Sequence, residues 1–305
     1  MSKEEKSLVI VDGNYLMYRS FWGVRGLVTS YGLAVNATFG FLVSFRKLLD
    51  DLRPTKICVV FDGRGKTWRH KLVEKAVEDG VTEKTYKDRT KTGLENFYEQ
   101  LGFTQKFMKA LRIRTYQKPA TESDDIIGTL VRKYDAKGYR VILFTKDKDF
   151  YQLLKYNCAL YKPDGVNRKY YDDSDFRKQY VIGPKQWCAA CSLTGDGSDT
   201  IMGIRGIGEK KAGLLIKEYK TLKNLIKDVK NNKHIHKYGA SIRDEDIPRL
   251  RLNYKLKKLV DVPGLKSVPK MRKINGKLLK KMLKKYEMES LSVMQFRHVI
   301  EGNIK

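Results

Sequence analysis

Acidic side chains in short polar motifs are the residues of this chain whose types and spacing could do chemistry. Five motifs carry them, VDGNYLMYR, FDGRGKT, ATESDDIIG, FTKDKDF and TGDGSD, and the acids are Asp12, Asp62, Glu122, Asp124, Asp125, Asp147, Asp149, Asp196 and Asp199. Packed together, carboxylates repel one another unless cations neutralise them. Hard divalent cations such as magnesium prefer oxygen ligands. The motifs therefore predict a metal site.

Each motif taken alone has an ordinary structural explanation. An Asp-Gly pair after a strand is often only a turn, and acids at a helix start are usually explained by capping and the helix dipole. Three acids within residues 122–125 exceed what capping needs, and i, i+3 spacing would put Glu122 and Asp125 on one helix face. An extended strand would point Asp147 and Asp149 to one side. The joint occurrence of the motifs carries the prediction.

Short apolar runs precede three of the motifs and predict the strands that position them. Residues 8–11, 57–61 and 141–144 have the pattern of buried strands, and residues 39–52 and 126–134 have helical patterns between them. Alternating strands and helices predict an α/β fold with a mostly parallel central sheet flanked by helices. Ligands of such sheets bind beyond the carboxyl ends of the strands, where these motifs lie.

The charge balance indicates a polyanionic partner. The chain of 305 residues has 62 Lys and Arg against 35 Asp and Glu, a net charge of +27. Such an excess attracts nucleic acid through phosphate neutralisation. A membrane partner is not expected, since no long apolar span occurs and the basic residues are spread along the chain. The N-terminus, MSKEEKS, lacks the apolar core of a signal peptide, so we expect a cytoplasmic protein.

Two further segments suggest nucleic-acid contacts. The stretch 63–112 is long for a connection between strands and interleaves basic residues with aromatic rings, which suits single-stranded nucleic acid, although a solvated helix is the ordinary explanation. The segment GIRGIGEKKA predicts a hairpin between helices over 184–193 and 209–219. Its glycines and helix start could approach a phosphate, with an ordinary glycine turn as the alternative. We expect an α/β core over 1–182, with 63–112 inserted, and a helical region over 183–305.

With these motifs in order, the chain resembles the flap endonuclease or 5′-nuclease family. That family includes the 5′-nuclease domain of bacterial DNA polymerase I and bacteriophage 5′-3′ exonucleases. The resemblance spans residues 8–262, with a weaker echo over 279–291. It implies a PIN-like α/β fold with a helical arch and a helix–hairpin–helix module. It also implies a structure-specific DNA nuclease of replication or repair, which uses two or more Mg²⁺ ions or Mn²⁺ in their place.

The resemblance also implies residue roles. The first metal set would be Asp12, Asp62, Glu122 and Asp124, and the second set would be Asp147, Asp149, Asp196 and Asp199, with Asp125 a further acidic position. Lys87 matches the arch lysine and Arg19 matches a basic residue of the phage enzymes, and both are expected to be catalytic. The expected DNA contacts are Tyr86, Arg89, Gly206, Gly208, Lys210 and Lys211.

The implied partner is DNA with 5′ flaps or free 5′ ends, bound by a monomer. The implied location is the cytoplasm of a bacterial cell or phage-infected host, and a potassium ion is implied at the hairpin. A PIN-type endoribonuclease, RNase H-like removal of RNA primers and a non-catalytic DNA-binding protein are the alternatives.

Overall fold

A computed structural model describes residues 6–87, 95–164 and 167–302 of the chain. The strands are β1 Ser7–Asp12, β2 Lys56–Val60, β3 Arg114–Tyr116, β4 Arg140–Phe144, β5 Cys158–Asp164, β6 Asn167–Tyr171, β7 Gly195–Asp196, β8 Ile201–Met202, β9 His234–Lys237 and β10 Ala240–Arg243. The helices are α1 Gly13–Gly23, α2 Asn36–Leu52, α3 Trp68–Glu78, α4 Glu95–Ala110, α5 Ser123–Asp135, α6 Asp173–Gln179, α7 Trp187–Thr194, α8 Glu209–Tyr219, α9 Leu222–Asn232, α10 Ile247–Lys257, α11 Gly276–Lys285 and α12 Val293–Glu301. Short 3₁₀ turns cover Lys148–Leu153, Pro184–Gln186 and Asp244–Asp246.

A six-stranded sheet in the order β3-β2-β1-β4-β5-β6 forms the centre of the fold. Its strands pair in parallel except for β6, which runs antiparallel to β5. The predicted α/β class with a mostly parallel sheet is therefore confirmed. Three central strands, β2, β1 and β4, are those that the apolar runs predict, and their carboxyl ends lie side by side.

Both faces of the sheet are buried, which explains why its central strands are apolar without alternation. Successive side chains of a strand point to opposite faces. Leu8 and Ile10 accordingly join the core beneath α5, α7 and α8, whereas Val9 and Val11 join the core beneath α2 and α4. The sheet is thus held between two helical layers, and its carboxyl edge is left for the site.

The C-terminal helices return to the N-terminal half of the fold. The predicted apolar stripe of residues 278–286 lies on α11, whose buried Leu279 and Met282 pack in the same core as α2 and α4. The ring of Tyr286 lies 4.7 Å from that of Phe103 on α4. The base of the predicted arch insertion therefore packs against the C-terminal region. Residues 88–94 of that insertion lie outside the described residues.

The predicted hairpin region separates α7 from α8 and also contains the short strands β7 and β8. Gly203 passes so close to α7 that an added Cβ would lie 2.2 Å from the carbonyl oxygen of Thr194. A side chain at this position would push the two strands apart, which explains the first glycine of the segment. Within the described residues, no helix is both long and apolar enough to cross a bilayer.

Candidate active site

Four of the predicted carboxylates line one cavity at the carboxyl edge of the sheet. Asp12 ends β1, Asp62 follows β2, Asp147 follows β4, and Asp124 lies in the first turn of α5. The cavity has a volume of about 470 Å³, and Lys87 and Lys146 also line it. We call it the carboxylate cavity. Four separate segments of the chain therefore converge on the same space.

Neighbouring groups hold these carboxylates in place. Asp12 caps α1 by accepting from the backbone N–H of Tyr15 at 3.0 Å, and its other oxygen accepts from Thr145 Oγ1 at 2.9 Å. One oxygen of Asp62 accepts from both the backbone N–H and the hydroxyl of Ser123 at 2.8 Å. The other oxygen of Asp62 accepts from the amide of Asn14. The donor oxygens are therefore oriented by the protein itself, as is usual around metal ligands.

The carboxylates of the cavity are electrostatically crowded. Burial raises the pKa of Asp12 to about 6, and the charge of Asp62 adds to this shift. Desolvation and the neighbouring Asp149 raise the pKa of Asp147 to about 7. Burial, followed by repulsion from Asp147, raises the pKa of Asp124 well above its usual range despite the opposing charge of Lys87. A set of oxygen donors whose negative charge is poorly compensated suits a hard divalent cation.

Glu122 faces basic and hydroxyl groups instead of the cavity. It accepts from Lys87 Nζ at 3.0 Å and from Thr67 Oγ1 at 2.8 Å, and it lies 3.6 Å from Arg69. Burial opposes ionisation, but the charges of Lys87 and Arg69 lower the pKa of Glu122. Glu122 precedes α5 with extended backbone dihedrals, φ −77° and ψ 145°, so helical spacing does not relate it to Asp125. It holds Lys87 beside the cavity.

Asp125 forms a buried ion pair with Arg69. Arg69 donates to both of its oxygens, at 2.8 and 2.9 Å, and each oxygen accepts one more hydrogen bond, from Trp68 Nε1 or from the backbone N–H of Val260. Only 1% of the Asp125 side chain is exposed. Both oxygens of Asp125 are therefore occupied by donors of the protein itself.

The remaining three acids form a second group, which we call the acidic trio: Asp149, Asp196 and Asp199. One carboxylate oxygen from each lies within 4.8 Å of the others. Asp149 does not point the same way as Asp147, because a 3₁₀ turn begins at Lys148 in place of the extended strand that alternation suggested. The buried ammonium of Lys257 lies among the trio, 2.8 Å from Asp149 and 3.4 Å from Asp199, and also contacts Asp196.

The other predicted site residues lie in varied surroundings. Lys87 lines the carboxylate cavity, whereas Arg19 is exposed on α1 next to Tyr18, which lines it. Tyr86 is buried, and its hydroxyl donates to Glu122 at 3.2 Å, so its ring does not offer a face for stacking bases. Arg89 lies outside the described residues.

The hairpin residues are partly available for contacts. Gly206, Gly208 and Lys210 are exposed, and Gly208 caps α8. Lys211 instead donates to the carbonyl oxygens of Gly206 at 3.0 Å and Gly239 at 2.8 Å. Its ammonium therefore bridges the hairpin to the β9–β10 turn.

Two family models cover most of the chain. The model described as 5′-3′ exonuclease, N-terminal resolvase-like domain, matches residues 7–181. The chain belongs to the 5′-3′ exonuclease family. The model described as 5′-3′ exonuclease, C-terminal SAM fold, matches residues 182–277. The resemblance to the 5′-nuclease family is thereby confirmed.

Relatives of this chain are found alone and within larger proteins. The 5′-3′ exonuclease of Aquifex aeolicus is 30% identical over 289 residues, which are 94% of this chain and 94% of that protein. The thermostable DNA polymerase I of Thermus thermophilus is 32% identical over 290 residues, 93% of this chain. The chain spans 32% of that polymerase, so it corresponds to about a third of such relatives.

A solved structure supports the fold assignment. The bacteriophage T5 D15 flap endonuclease, in a pseudo-enzyme-product complex with DNA and metal ions, matches with a TM-score of 0.61 and 17% identity. The match covers 98% of this chain and 99% of that chain. At this identity the match shows that the fold is shared.

Sequence reasoning missed two buried cations, Arg69 and Lys257. Arg69 is one of many basic residues in the inserted stretch, and Lys257 belongs to the run KLKK. The spacing of Leu250, Leu252 and Leu256, which are all buried, could have placed Lys257 near the inner side of α10. The leucine spacing indicates that position 257 is buried, but it does not indicate which groups the lysine ammonium contacts.

Proposed function

We propose that the carboxylate cavity is the catalytic centre of this nuclease and that Asp12, Asp62, Asp124 and Asp147 hold a divalent ion there. The observation that supports this most directly is the convergence of these four carboxylates, from four segments, on one cavity of about 470 Å³. The raised pKa values of Asp12 and Asp147, about 6 and about 7, indicate that their ionised forms are disfavoured by burial and like charges, which a bound cation would offset. Magnesium fits the all-oxygen donor set, and manganese would substitute.

The reaction is hydrolysis of a phosphodiester bond in DNA. A bound divalent ion would activate a water molecule, hold the scissile phosphate and stabilise the developing charge. Thr145, Ser123 and Asn14 keep the oxygens of Asp12 and Asp62 directed before the ion binds. The resemblance implies two or more ions, whereas the four carboxylates of the cavity are proposed to hold one.

Lys87 is proposed as the group that donates to the phosphate as negative charge builds. Its ammonium lines the cavity, and 35% of the side chain is exposed, so it can reach a substrate. Its backbone has a φ of 53°, in the left-handed region, and its N–H donates to the carbonyl of Asp199 at 3.2 Å. This contact ties the described end of the inserted segment to the acidic trio. Arg19 is proposed to approach the phosphate from α1.

The proposed substrate is DNA with a 5′ flap or a free 5′ end. The T5 flap endonuclease, which shares the fold, is described in a complex with DNA and metal ions. We propose that Gly206, Gly208 and Lys210 contact the duplex backbone, where exposed glycines permit close approach without reading sequence. A potassium ion at the hairpin stays a prediction. The monomeric state and cytoplasmic location also stay predictions.

The test compares cleavage of a 5′-labelled flap by Asp147→Asn, Lys87→Ala and Lys84→Ala at saturating Mg²⁺. Lys84 is exposed in the same segment as Lys87 and serves as the matched control. We expect cleavage by the first two variants to fall by about a hundredfold or more, and that of the control to stay close to wild type. Full activity of Asp147→Asn would refute the assignment. An RNA flap assayed in parallel would reveal the endoribonuclease alternative if it were cut faster than DNA.

A further inference from the structure

Lys257 places a positive charge where a second metal ion would be expected. It is the last residue of α10, and only 3% of its side chain is exposed. Its Nζ donates to both oxygens of Asp149, at 3.0 and 2.8 Å, and to Asp196. It also lies 3.4 Å from Asp199. All three members of the acidic trio therefore converge on a single ammonium group.

The backbone around Lys257 is fixed by contacts that do not involve the acidic trio. The Lys257 carbonyl accepts from Gln152 Nε2 at 2.9 Å and from the thiol of Cys188 at 3.7 Å. On either side, the carbonyls of Leu256 and Lys258 accept from Arg69 at 2.7 and 3.1 Å. The lysine is thus directed into the trio by the packing of α10 against α3 and α7, and its position does not depend on a flexible surface side chain.

The two carboxylate groups differ in their charge compensation. In the carboxylate cavity, burial and mutual repulsion raise the pKa of Asp12 and Asp147. In the trio, burial acts in the same direction and the Lys257 ammonium opposes it. At Asp196 the ammonium outweighs burial and lowers the pKa below the usual value, whereas at Asp199 burial prevails and the pKa stays raised. Burial would favour the neutral amine of Lys257, yet the charges of Asp149, Asp199 and Asp196 raise its pKa and keep it protonated.

A divalent ion and the ammonium cannot share this space. An oxygen-ligated divalent ion lies about 2.0–2.6 Å from its donor oxygens. The trio oxygens already surround Lys257 Nζ at hydrogen-bond distance. An ion bound by all three carboxylates would therefore lie in contact with the positively charged ammonium. Either the lysine leaves or the ion does not bind. Displacement of the lysine would require its buried side chain to leave the position that the contacts of α10 fix.

We propose that the Lys257 ammonium occupies the second cation position, so that this nuclease binds one divalent ion in the carboxylate cavity and uses a lysine in place of the other. The proposal rests on the proposed function in taking the carboxylate cavity as the metal site. Lys257 acts as a positioning residue. It holds Asp199, whose carbonyl accepts from the N–H of Lys87, and so keeps the catalytic lysine beside the cavity.

The test measures the stoichiometry of Mn²⁺ binding by calorimetry for wild type, Lys257→Met and Lys258→Met. The side chain of Lys258 is exposed on the neighbouring position, so this variant removes a lysine without touching the trio. We expect one ion per chain for wild type and Lys258→Met, and two for Lys257→Met. Two ions in wild type, or one ion in folded Lys257→Met, would overturn the proposal.

A second measurement on the wild-type protein covers the case in which Lys257→Met fails to fold. In protein labelled with ¹⁵N-lysine, the buried Lys257 ammonium should give a slowly exchanging NMR signal that is absent from Lys257→Arg. We expect this signal to persist at saturating Mg²⁺. Its loss on adding Mg²⁺ would mean that the ion displaces the lysine. Asp147→Asn separates the proposed metal site from the proposed role of Lys257. Normal Mn²⁺ binding by that variant would contradict the assignment of the metal site to the carboxylate cavity.

Discussion

The buried ion pair of Arg69 and Asp125 tests whether Asp125 stabilises the fold or binds the metal ion. The motif of Asp125 predicts a further acidic position of the metal site. Its contacts with Arg69, Trp68 and Val260 instead satisfy both carboxylate oxygens. Replacement of Arg69 by Met removes the compensating charge and leaves Asp125 buried. Replacement of Asp125 by Leu leaves the guanidinium with its two carbonyl partners and Glu122 at 3.6 Å.

The expected destabilisation follows from the burial of the pair. The side chains of Arg69 and Asp125 are 3% and 1% exposed, and the guanidinium makes four hydrogen bonds of 2.7–3.1 Å. Removing one partner of such a pair costs about 3–5 kcal/mol of unfolding free energy, since the other charge is stranded. With a urea slope of about 3 kcal/mol per molar, a loss of about 4 kcal/mol lowers the urea midpoint by about 1 M.

The assay is urea unfolding of Arg69→Met, Asp125→Leu and the double variant, with Lys71→Met as an exposed control on α3. The double variant lacks both charges, so neither is left buried without its partner. Its loss of unfolding free energy should therefore be about 3 kcal/mol smaller than the sum of the two single losses. Asp125→Asn should lose stability but still bind Mn²⁺. A cost below about 1 kcal/mol for Arg69→Met, or loss of Mn²⁺ binding in folded Asp125→Asn, would refute the reasoning.

Two further predictions concern the carboxylate cavity. Gly63→Ala should weaken Mn²⁺ binding and slow flap cleavage, because an added Cβ would lie 1.7 Å from the carbonyl oxygen of Lys118 and so displace the neighbouring Asp62. Gly102→Ala, which has nothing within 4 Å of the new Cβ, is the control, and equal Mn²⁺ affinity in the two variants would contradict the explanation. The Mn²⁺ affinity of the wild type should rise from about pH 5 to pH 8, because the ligands must lose their protons before they bind the ion. The raised pKa values of Asp12 and Asp147, about 6 and about 7, place that rise above the range of ordinary aspartates, so an affinity that is constant above about pH 5 in calorimetry would count against it.

The strands and the first carboxylates could be predicted from the sequence because their signals are local. Each apolar run of 57–61 or 141–144 ends beside an acidic motif, and parallel strands bring those ends together whatever the rest of the chain does. The division of acids between the two groups was less accessible. It depends on where the helix starts after Glu122 and on the 3₁₀ turn after Asp147, and both change side-chain directions within one or two residues.

The buried cations could not be assigned from sequence. Lys257 and Asp149 are 108 positions apart. The spacing of the leucines of α10 indicates that Lys257 is buried, but nothing in the sequence shows which groups its ammonium contacts. The same is true of Arg69 and Asp125, which are 56 positions apart. Charge pairing over such separations is set by the packing of α3 and α10 on the core, and packing of this kind has no signature in composition or spacing.

Glu122 has two basic neighbours, and this arrangement has a consequence for the arrival of DNA. If Lys87 turned from Glu122 toward a phosphate, as proposed, the carboxylate would keep the guanidinium of Arg69 at 3.6 Å and the hydroxyl of Thr67 at 2.8 Å. The departing lysine therefore strands no buried anion behind it. Glu122 can thus lose its contact with Lys87 while its contact with Arg69 remains, so the Lys87 side chain can move while its surroundings stay in place.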